Sequence, residues 1–340
     1  VVRAVVYDAY GATPVVREVA PPVCPADGVV VRVGATGVCR SDWHAFVGHD
    51  PVPLPMTPGH ELAGTVAEVG AEVRAGAGGW AVGDRVTVPF VVACGRCEYC
   101  RAGEQQVCPH QQQPGFTYPG SWAELVAVPH AAANLVRLPD DVDVVAAAAL
   151  GCRFATAFRA LHTHAPVGPG DVLAVHGCGG VGLSAVLIGA ALGATVVAID
   201  PSAPRRERAL ELGATRVLDV GRHEGLDAHV SLDAVGSPQV AAASVRSLRR
   251  RGTHVQLGLL LGAEAATPLP MDLVLAHELT VVGSHGMPAH EYAALFDLLR
   301  SADLDPGLLV DRVLTLDEAS DALVALGRAP ETGGIAVIRP

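Results

Sequence analysis

The side chains able to do chemistry in this 340-residue sequence fall into three groups. The first is Cys94-x-x-Cys97-x-x-Cys100-x7-Cys108, four thiols in close succession on a stretch that also carries Gly95 and Gly103. Four sulfurs so placed can wrap one tetrahedral zinc at about 2.3 Å each. Such a set leaves no open coordination position, so it folds a loop and does no chemistry. An iron–sulfur centre and unrelated free thiols are the alternatives for these four residues.

The second group is Gly177-Cys178-Gly179-Gly180-Val181-Gly182, which follows an apolar strand at Val172 to His176 and opens an apolar helix from Val181 to Leu192. A Gly-x-Gly-x-x-Gly match alone is weak. Here the strand, the helix and an acidic residue, Asp200, at the end of the next strand are all in place. The glycines allow a tight turn and let a pyrophosphate sit against the helix N-terminus. Asp200 would hydrogen-bond the adenosine ribose hydroxyls, and its charge would repel the 2′-phosphate of NADP, so the expected dinucleotide is NAD. A glycine turn with no dinucleotide is the alternative.

The third group is scattered: Gly37-Val38-Cys39-Arg40-Ser41-Asp42-Trp43-His44, then Gly59-His60-Glu61, then Gly151-Cys152. A lone cysteine is usually a small core residue, and a lone histidine is more often a surface or satisfied core group than a ligand. Together, Cys39, His60 and Cys152 supply the Cys–His–Cys set of a catalytic zinc, with a fourth position left for water or substrate. Zinc as a Lewis acid would help an oxygen ligand bound at that position lose its proton. Two thiolates donate more charge than three imidazoles, so metal-bound water here should be less acidic than the value of roughly 7 for a three-histidine site. A proton exit path then becomes useful, while the dinucleotide carries the hydride.

The elements that must position these groups change texture along the chain. Up to about Leu150, short strands are punctuated by Gly and Pro, as at Gly28 to Val33, Leu62 to Val69, Asp84 to Pro89 and Glu124 to Val128. This reads as an irregular, mostly β unit. From Asp171 strands alternate with helices: Val172 to His176, Val181 to Leu192, Thr195 to Asp200 and Arg205 to Leu212. Further strands are expected at Val230 to Ala234, Thr253 to Leu257 and Leu279 to Val282. Such alternation implies a parallel sheet wound on both faces. The tail, Ala289 to Pro340, carries a helix or two and a last strand at Ile335 to Ile338, placed back on the first unit. Ala71 to Gly79 reads as a loose loop.

Composition narrows the function classes. The net charge of −11 argues against nucleic acid or an anionic membrane as the main partner. No apolar run reaches the roughly 18 residues of a membrane span. All 24 basic residues are arginine, which excludes a Schiff-base lysine or a P-loop lysine. The N-terminus alternates like a first strand and shows no signal sequence, so a cytoplasmic address is the default expectation. In such a chain the clustered cysteines read as metal ligands rather than disulfides. Aromatic residues concentrate between Trp43 and Trp122, as core for that unit and as rings for a pocket.

With the three motifs in this order and spacing, the sequence resembles the zinc-dependent medium-chain alcohol dehydrogenases over essentially its whole length. The resemblance implies an α/β protein with a doubly wound (Rossmann) parallel-sheet NAD-binding domain at 154–286. An irregular, mainly β catalytic domain would be built from 1–153 and 287–340. It implies two zincs per chain, one on Cys39, His60 and Cys152 and one structural, on Cys94, Cys97, Cys100 and Cys108. Glu61 would be the carboxylate that approaches the metal as water or product exchanges, and Asp42 would hold the distal nitrogen of His60. Ser41 would hydrogen-bond the alcohol and pass its proton through the nicotinamide ribose to His44. Arg40 would meet the pyrophosphate with Gly177, Gly179, Gly180, Val181 and Gly182. Thr156 would lie near the nicotinamide, and Asp200 and Arg205 near the adenosine ribose. Phe90 and Phe116 match positions lining the substrate channel, with Trp43 and Trp122 beside them.

The activity implied is reversible oxidation of a small primary aliphatic or aromatic alcohol to aldehyde or ketone, by a homodimer or homotetramer. There is one departure. Members often carry a basic residue near the C-terminus that contacts the pyrophosphate and can face the zinc-adjacent glutamate. The matching stretch, Thr332-Gly333-Gly334-Ile335-Ala336, has none, and Arg153 is the candidate replacement. A zinc-free quinone or enoyl reductase, a polyol dehydrogenase with glutamate as third ligand, and a dinucleotide-binding protein without activity are the competing readings. The intact Cys39, His60, Cys152, Ser41 and His44 count against them.

Overall fold

Two large sheets share the chain with a two-stranded one, Val2–Val6 paired antiparallel with Val15–Val19, and one helical segment joins the large pair. The computed structural model describes residues 1–75, 79–222, 225–328 and 334–340. Val29–Val38 is rich in β-branched valine and is buried at nearly every position, which suits the centre of a sheet. It pairs antiparallel with Leu62–Val69, Leu125–Val128 and Ile335–Arg339. Val310–Thr315, Arg85–Val88 and Val136–Arg137 complete a seven-stranded sheet. The C-terminal strand thus returns to the sheet built by the first part of the chain.

The second sheet has six strands, all parallel. Their order is Arg216–Leu218, Thr195–Ile199, Val172–His176, Ala228–Asp233, Leu248–Gln256 and Thr280–Gly283. In chain order that is 3-2-1-4-5-6, the doubly wound arrangement, with a crevice where the order reverses, between Val172–His176 and Ala228–Asp233. The inner strands are buried on both faces, as a parallel sheet covered by helices requires.

Residues 144–164 are the joint: Val144–Ala148, a wide π turn at Leu150–Phe154, Ala155–Arg159 and a second π turn at Ala160–His164. Asp143 starts the segment by accepting hydrogen bonds from the Val145 and Ala146 amides at 2.8 and 3.3 Å. Its small apolar face lets one continuous core run from Ala35 and Ala63 of the first sheet, through Ala147, Phe154 and Phe158, to Leu173, Val175 and Ile188 of the second. Cys152 lies in the first π turn, so both sheets fix its position.

The expected loose loop at Ala71 to Gly79 is corrected in part. Ala71–Ala75 is a helical turn, begun by the Arg74 amide donating to the Gly70 carbonyl at 3.1 Å, and its Ala, Glu and Arg are good helix formers. Residues 76–78 lie outside the described residues. No helix among the described residues is long and apolar enough to cross a membrane.

Candidate active site

Cys39 ends the central strand Val29–Val38 and caps the short helix Arg40–Phe46. Its amide donates to Asp42 Oδ2 at 2.9 Å. The other oxygen of Asp42 accepts from the Gly59 amide at 3.1 Å and from His60 Nδ1 at 2.9 Å. One buried carboxylate therefore ties two distant segments together and fixes the imidazole. His60 Nε2 is buried and has no hydrogen-bond partner. The Cys39 and Cys152 sulfurs and the His60 ring nitrogen lie within 4.8 Å of one another. An unpartnered buried nitrogen costs about 1–3 kcal/mol, and between two thiols it has the donor chemistry that zinc takes. The residues present fit the metal.

Glu61 is wholly buried, and Arg153 grips it. The Arg153 amide and Nε donate to Glu61 Oε1 at 3.1 and 3.0 Å, and Nη2 donates to Oε2. Burial pushes the Glu61 carboxyl up from its ordinary value, and the Arg153 charge pulls against that rise. Arg153 thus anchors Glu61 from the position next to Cys152. Of the basic-free C-terminal stretch, Thr332 and Gly333 lie outside the described residues. Arg153 Nη1 has no protein acceptor among the described residues. It lies 3.3 Å from where a Cβ on Gly180 would stand, at the start of the glycine-turn helix.

The four remaining ligand candidates also converge. Sulfur–sulfur distances are 3.4 Å for Cys97–Cys100, 3.8 Å for Cys97–Cys108 and 3.9 Å for Cys94–Cys100. A tetrahedron with bonds of about 2.3 Å has edges of about 3.8 Å, so the loop is close to the size of one zinc. Gly95 and Gly103 have φ of +71° and +87°, turns that a side chain would strain.

In the glycine turn, Gly177 has φ +97°, and a Cβ on Gly182 would lie 1.7 Å from the Gly177 carbonyl oxygen. The helix Gly180–Ala191 therefore starts hard against the strand end, with its amide end facing the crevice. Asp200 is buried there, accepting from the Cys178 amide at 2.8 Å and the Ser202 amide at 2.8 Å. Arg205 Nη1 stands 3.8 Å from it. Burial pushes the Cys178 thiol up to about 12, so the turn carries no thiolate. Thr156 is buried one helical turn beyond Cys152.

Around the metal set, the rings of Phe90 and Phe116 stand 6.1 and 5.4 Å from that of His60. The other two expected pocket aromatics are corrected. Trp122 is wholly buried core, its indole N–H given to the Gly37 carbonyl at 3.1 Å, because Gly59 leaves room for the ring underneath. Trp43 packs instead with Arg40, 4.5 Å above its ring, and with His44 and His49. Arg40 also donates to the Leu326 carbonyl. Ser41 Oγ is 3.8 Å from Cys39 Sγ. His44 Nδ1 meets His49 Nδ1 at 3.2 Å. Burial, then the Arg40 charge, pulls the His44 imidazole below its ordinary value, so it is neutral near pH 7.

The sequence reading passed over three features. His49 extends the His44 contact. His285 packs on Phe90 at 5.3 Å. A cleft of about 860 Å³, with Gln256, Leu257, Gly258, Ser284 and His285 in its wall, opens at the ends of the last two parallel strands. Ligand crevices form at the carboxyl ends of such strands, and that rule could have pointed to these residues.

A doubly wound sheet with a glycine turn, set beside a buried Cys–His–Cys donor set on a mainly β partner, defines a two-unit oxidoreductase. The comparisons with known proteins take this further. The family model for the alcohol dehydrogenase GroES-like domain matches residues 25–140, and that for zinc-binding dehydrogenases matches 180–301. An alcohol dehydrogenase of Geobacillus stearothermophilus is 33% identical over 280 residues, covering 79% of this chain and 80% of the relative. The solved alcohol dehydrogenase of Thermus sp. ATN1 superposes with a TM-score of 0.89 at 30% identity, over 99% of each chain. A zinc-binding dehydrogenase of Sinorhizobium meliloti, solved with NADP, has a TM-score of 0.87 at 29% identity, over 100% of this chain and 99% of that one. The chain belongs to the zinc-dependent medium-chain alcohol dehydrogenase family, and it is an alcohol oxidoreductase.

The ion pair gives a test. Arg153→Met leaves a buried carboxylate without its partner and should destabilise the protein by about 3–5 kcal/mol in chemical denaturation. Adding Glu61→Gln should recover much of that loss. A double variant no more stable than Arg153→Met would show that the two charges do not depend on each other.

Proposed function

We propose that this chain is a zinc-dependent, NAD-linked dehydrogenase that reversibly oxidises a small primary aliphatic or aromatic alcohol to an aldehyde or ketone. The observation that carries this reading is the unpartnered His60 Nε2 between Cys39 and Cys152, beneath the rings of Phe90 and Phe116. When bound, zinc supplies Lewis-acid polarisation of the substrate oxygen and NAD accepts the hydride. Asp42 holds His60 as a ligand. Ser41 takes the alcohol proton and passes it through the nicotinamide ribose to His44. Arg40, Gly177, Gly179, Gly180, Val181 and Gly182 receive the pyrophosphate. Thr156 borders the nicotinamide, and Asp200 with Arg205 the adenosine ribose. Glu61, held by Arg153, would be the carboxylate that approaches the metal as water or product exchanges. Phe90 and Phe116 favour apolar substrates over polyols.

The proposal extends to a catalytic domain of residues 1–153 and 287–340 around an NAD-binding domain of 154–286, and to a homodimer or homotetramer. All eight cysteines are free of disulfides, which suits a reducing compartment such as the cytoplasm.

Elemental analysis of freshly purified protein should find two zincs per chain, since the two donor sets share no member. Cys108→Ser should lower stability or solubility, whereas Cys152→Ser should mainly remove activity. One zinc or none in active protein would overturn the two-site reading.

NAD should be preferred over NADP. Asp200 is buried with an amide hydrogen bond on each oxygen, and a 2′-phosphate against it places like charges in contact, worth a few kcal/mol, or roughly a hundredfold in affinity. Arg205 softens the penalty, and the Sinorhizobium meliloti relative solved with NADP makes the comparison necessary. Equal catalytic efficiency with both cofactors would count against Asp200 as the selector.

His44→Gln should slow alcohol oxidation roughly tenfold near neutral pH, or about 1.4 kcal/mol on the barrier. His44 is held neutral there, hence able to accept a proton. The deficit should shrink at high pH, where hydroxide and buffer bases take the proton directly, and zinc content should not change. A pH–rate profile that tracks the parent throughout would mean that the proton leaves by another route.

A further inference from the structure

The second sheet conceals a chain of polar residues that the catalytic reading does not use. His254 and Asp233 are buried, as are Ser231, Ser244 and Ser247. Each such group costs about 1–3 kcal/mol if left unpaired in a core that could have been apolar. Here they pair in one direction. Ser231 Oγ lies 2.7 Å from Ser244 Oγ, and Ser244 Oγ lies 2.8 Å from His254 Nδ1. His254 Nε2 lies 3.2 Å from Gln256 Oε1, and Gln256 Nε2 donates to Asp233 Oδ2 at 2.9 Å.

The donor and acceptor inventory sets the roles. Gln256 Nε2 also donates to the Gly258 carbonyl at 2.8 Å, so the amide oxygen is the end left for His254. His254 must therefore carry its proton on Nε2 and accept from Ser244 on Nδ1. Burial keeps this imidazole neutral, as that tautomer requires.

The far end of the chain reaches the crevice. Asp233 Oδ1 accepts from the Val235 and Gly236 amides at 2.8 and 2.9 Å. Gln256 thus clamps together the loops that follow Ala228–Asp233 and Leu248–Gln256. A Cβ on Gly258 would lie 2.0 Å from the Gly236 nitrogen, so the two loops touch backbone to backbone. Val235 covers the glycine turn, since a Cβ on Gly177 would lie 2.4 Å from its Cγ2. Gln256, Leu257 and Gly258 also form part of the cleft wall.

We propose that His254 is a positioning residue for the dinucleotide: by orienting the Gln256 amide it holds Asp233 and the two loops that wall the crevice. This rests on the dinucleotide reading of the glycine turn. His254 touches neither cofactor nor substrate, so its effect is on binding rather than on the chemical step.

The test is fluorescence titration of NADH, without alcohol, onto the purified zinc-loaded enzyme. His254→Phe keeps the ring and loses both hydrogen bonds. Its Kd should rise about tenfold, the worth of one net hydrogen bond, with kcat at saturating cofactor within about twofold and zinc content unchanged. His254→Gln keeps an N–H at the Nε2 position and can still donate to the Gln256 amide oxygen, so its Kd should stay within about twofold of the parent. If the Phe variant does not fold, Gln256→Met cuts the clamp at its centre and should show the same rise in Kd. Parental NADH affinity in the Phe variant, or in the Met variant where the Phe variant does not fold, would overturn the proposal. So would equal weakening in His254→Gln with a lowered Tm, which marks a purely structural residue. A parent that binds neither NADH nor NADPH would remove the dinucleotide reading itself, and this proposal with it.

Discussion

The buried pair of Glu61 and Arg153 is the contact on which the two halves of the molecule depend. Glu61 borders the first sheet and follows the donor His60; Arg153 follows the donor Cys152 in the helical joint. Neither charge tolerates burial alone, because removing water from an ion costs several kcal/mol that only a close partner and extra hydrogen bonds offset. The pair therefore holds His60 and Cys152 in register across a long stretch of sequence. Gly37 and Gly180 make room for it: a Cβ on Gly37 would lie 2.9 Å from Arg153 Nη2, and one on Gly180 would lie 2.4 Å from Arg153 Cδ. The same guanidinium thus meets both the donor set and the start of the glycine-turn helix.

Around that pair the protein separates rigid polar work from adaptable apolar work. Asp42 uses both oxygens to orient a ligand and tie two segments, and Asp233 does the same for two loops at the crevice. Both carboxylates are buried and fully engaged, so neither is free to move when a ligand arrives. The rings of Phe90 and Phe116 impose shape without hydrogen bonds. Positions that must be held are polar and hydrogen-bonded; the phenylalanine rings beside the donor set are apolar.

Much of this was legible in the sequence. The Cys94 to Cys108 cluster is local, so its spacing alone marks a candidate metal loop. The glycine turn lies between a strand and a helix that periodicity reveals, and Asp200 ends the next strand. Trp122 and Trp43 show where that reading stops: an aromatic residue near a site in sequence becomes core or wall according to what lies beneath it. For Trp122 that is Gly59, and for Trp43 it is the guanidinium of Arg40. His254, Gln256 and Asp233 carry no motif, since their hydrogen bonds cross strands whose register no local pattern encodes.

By itself, then, the sequence determined two candidate metal-donor sets, the doubly wound and mainly β characters of the fold, and the family. These depend on local spacing and on hydrophobic period, which survive without knowledge of contacts. Only the tertiary structure decided that Arg153 answers Glu61, that His60 Nε2 is left without a partner, that His49 adjoins His44, and that Gln256 bridges two crevice loops. Each of these joins residues through buried hydrogen bonds or side-chain contacts whose geometry exists only once the sheets and their helical joint have packed.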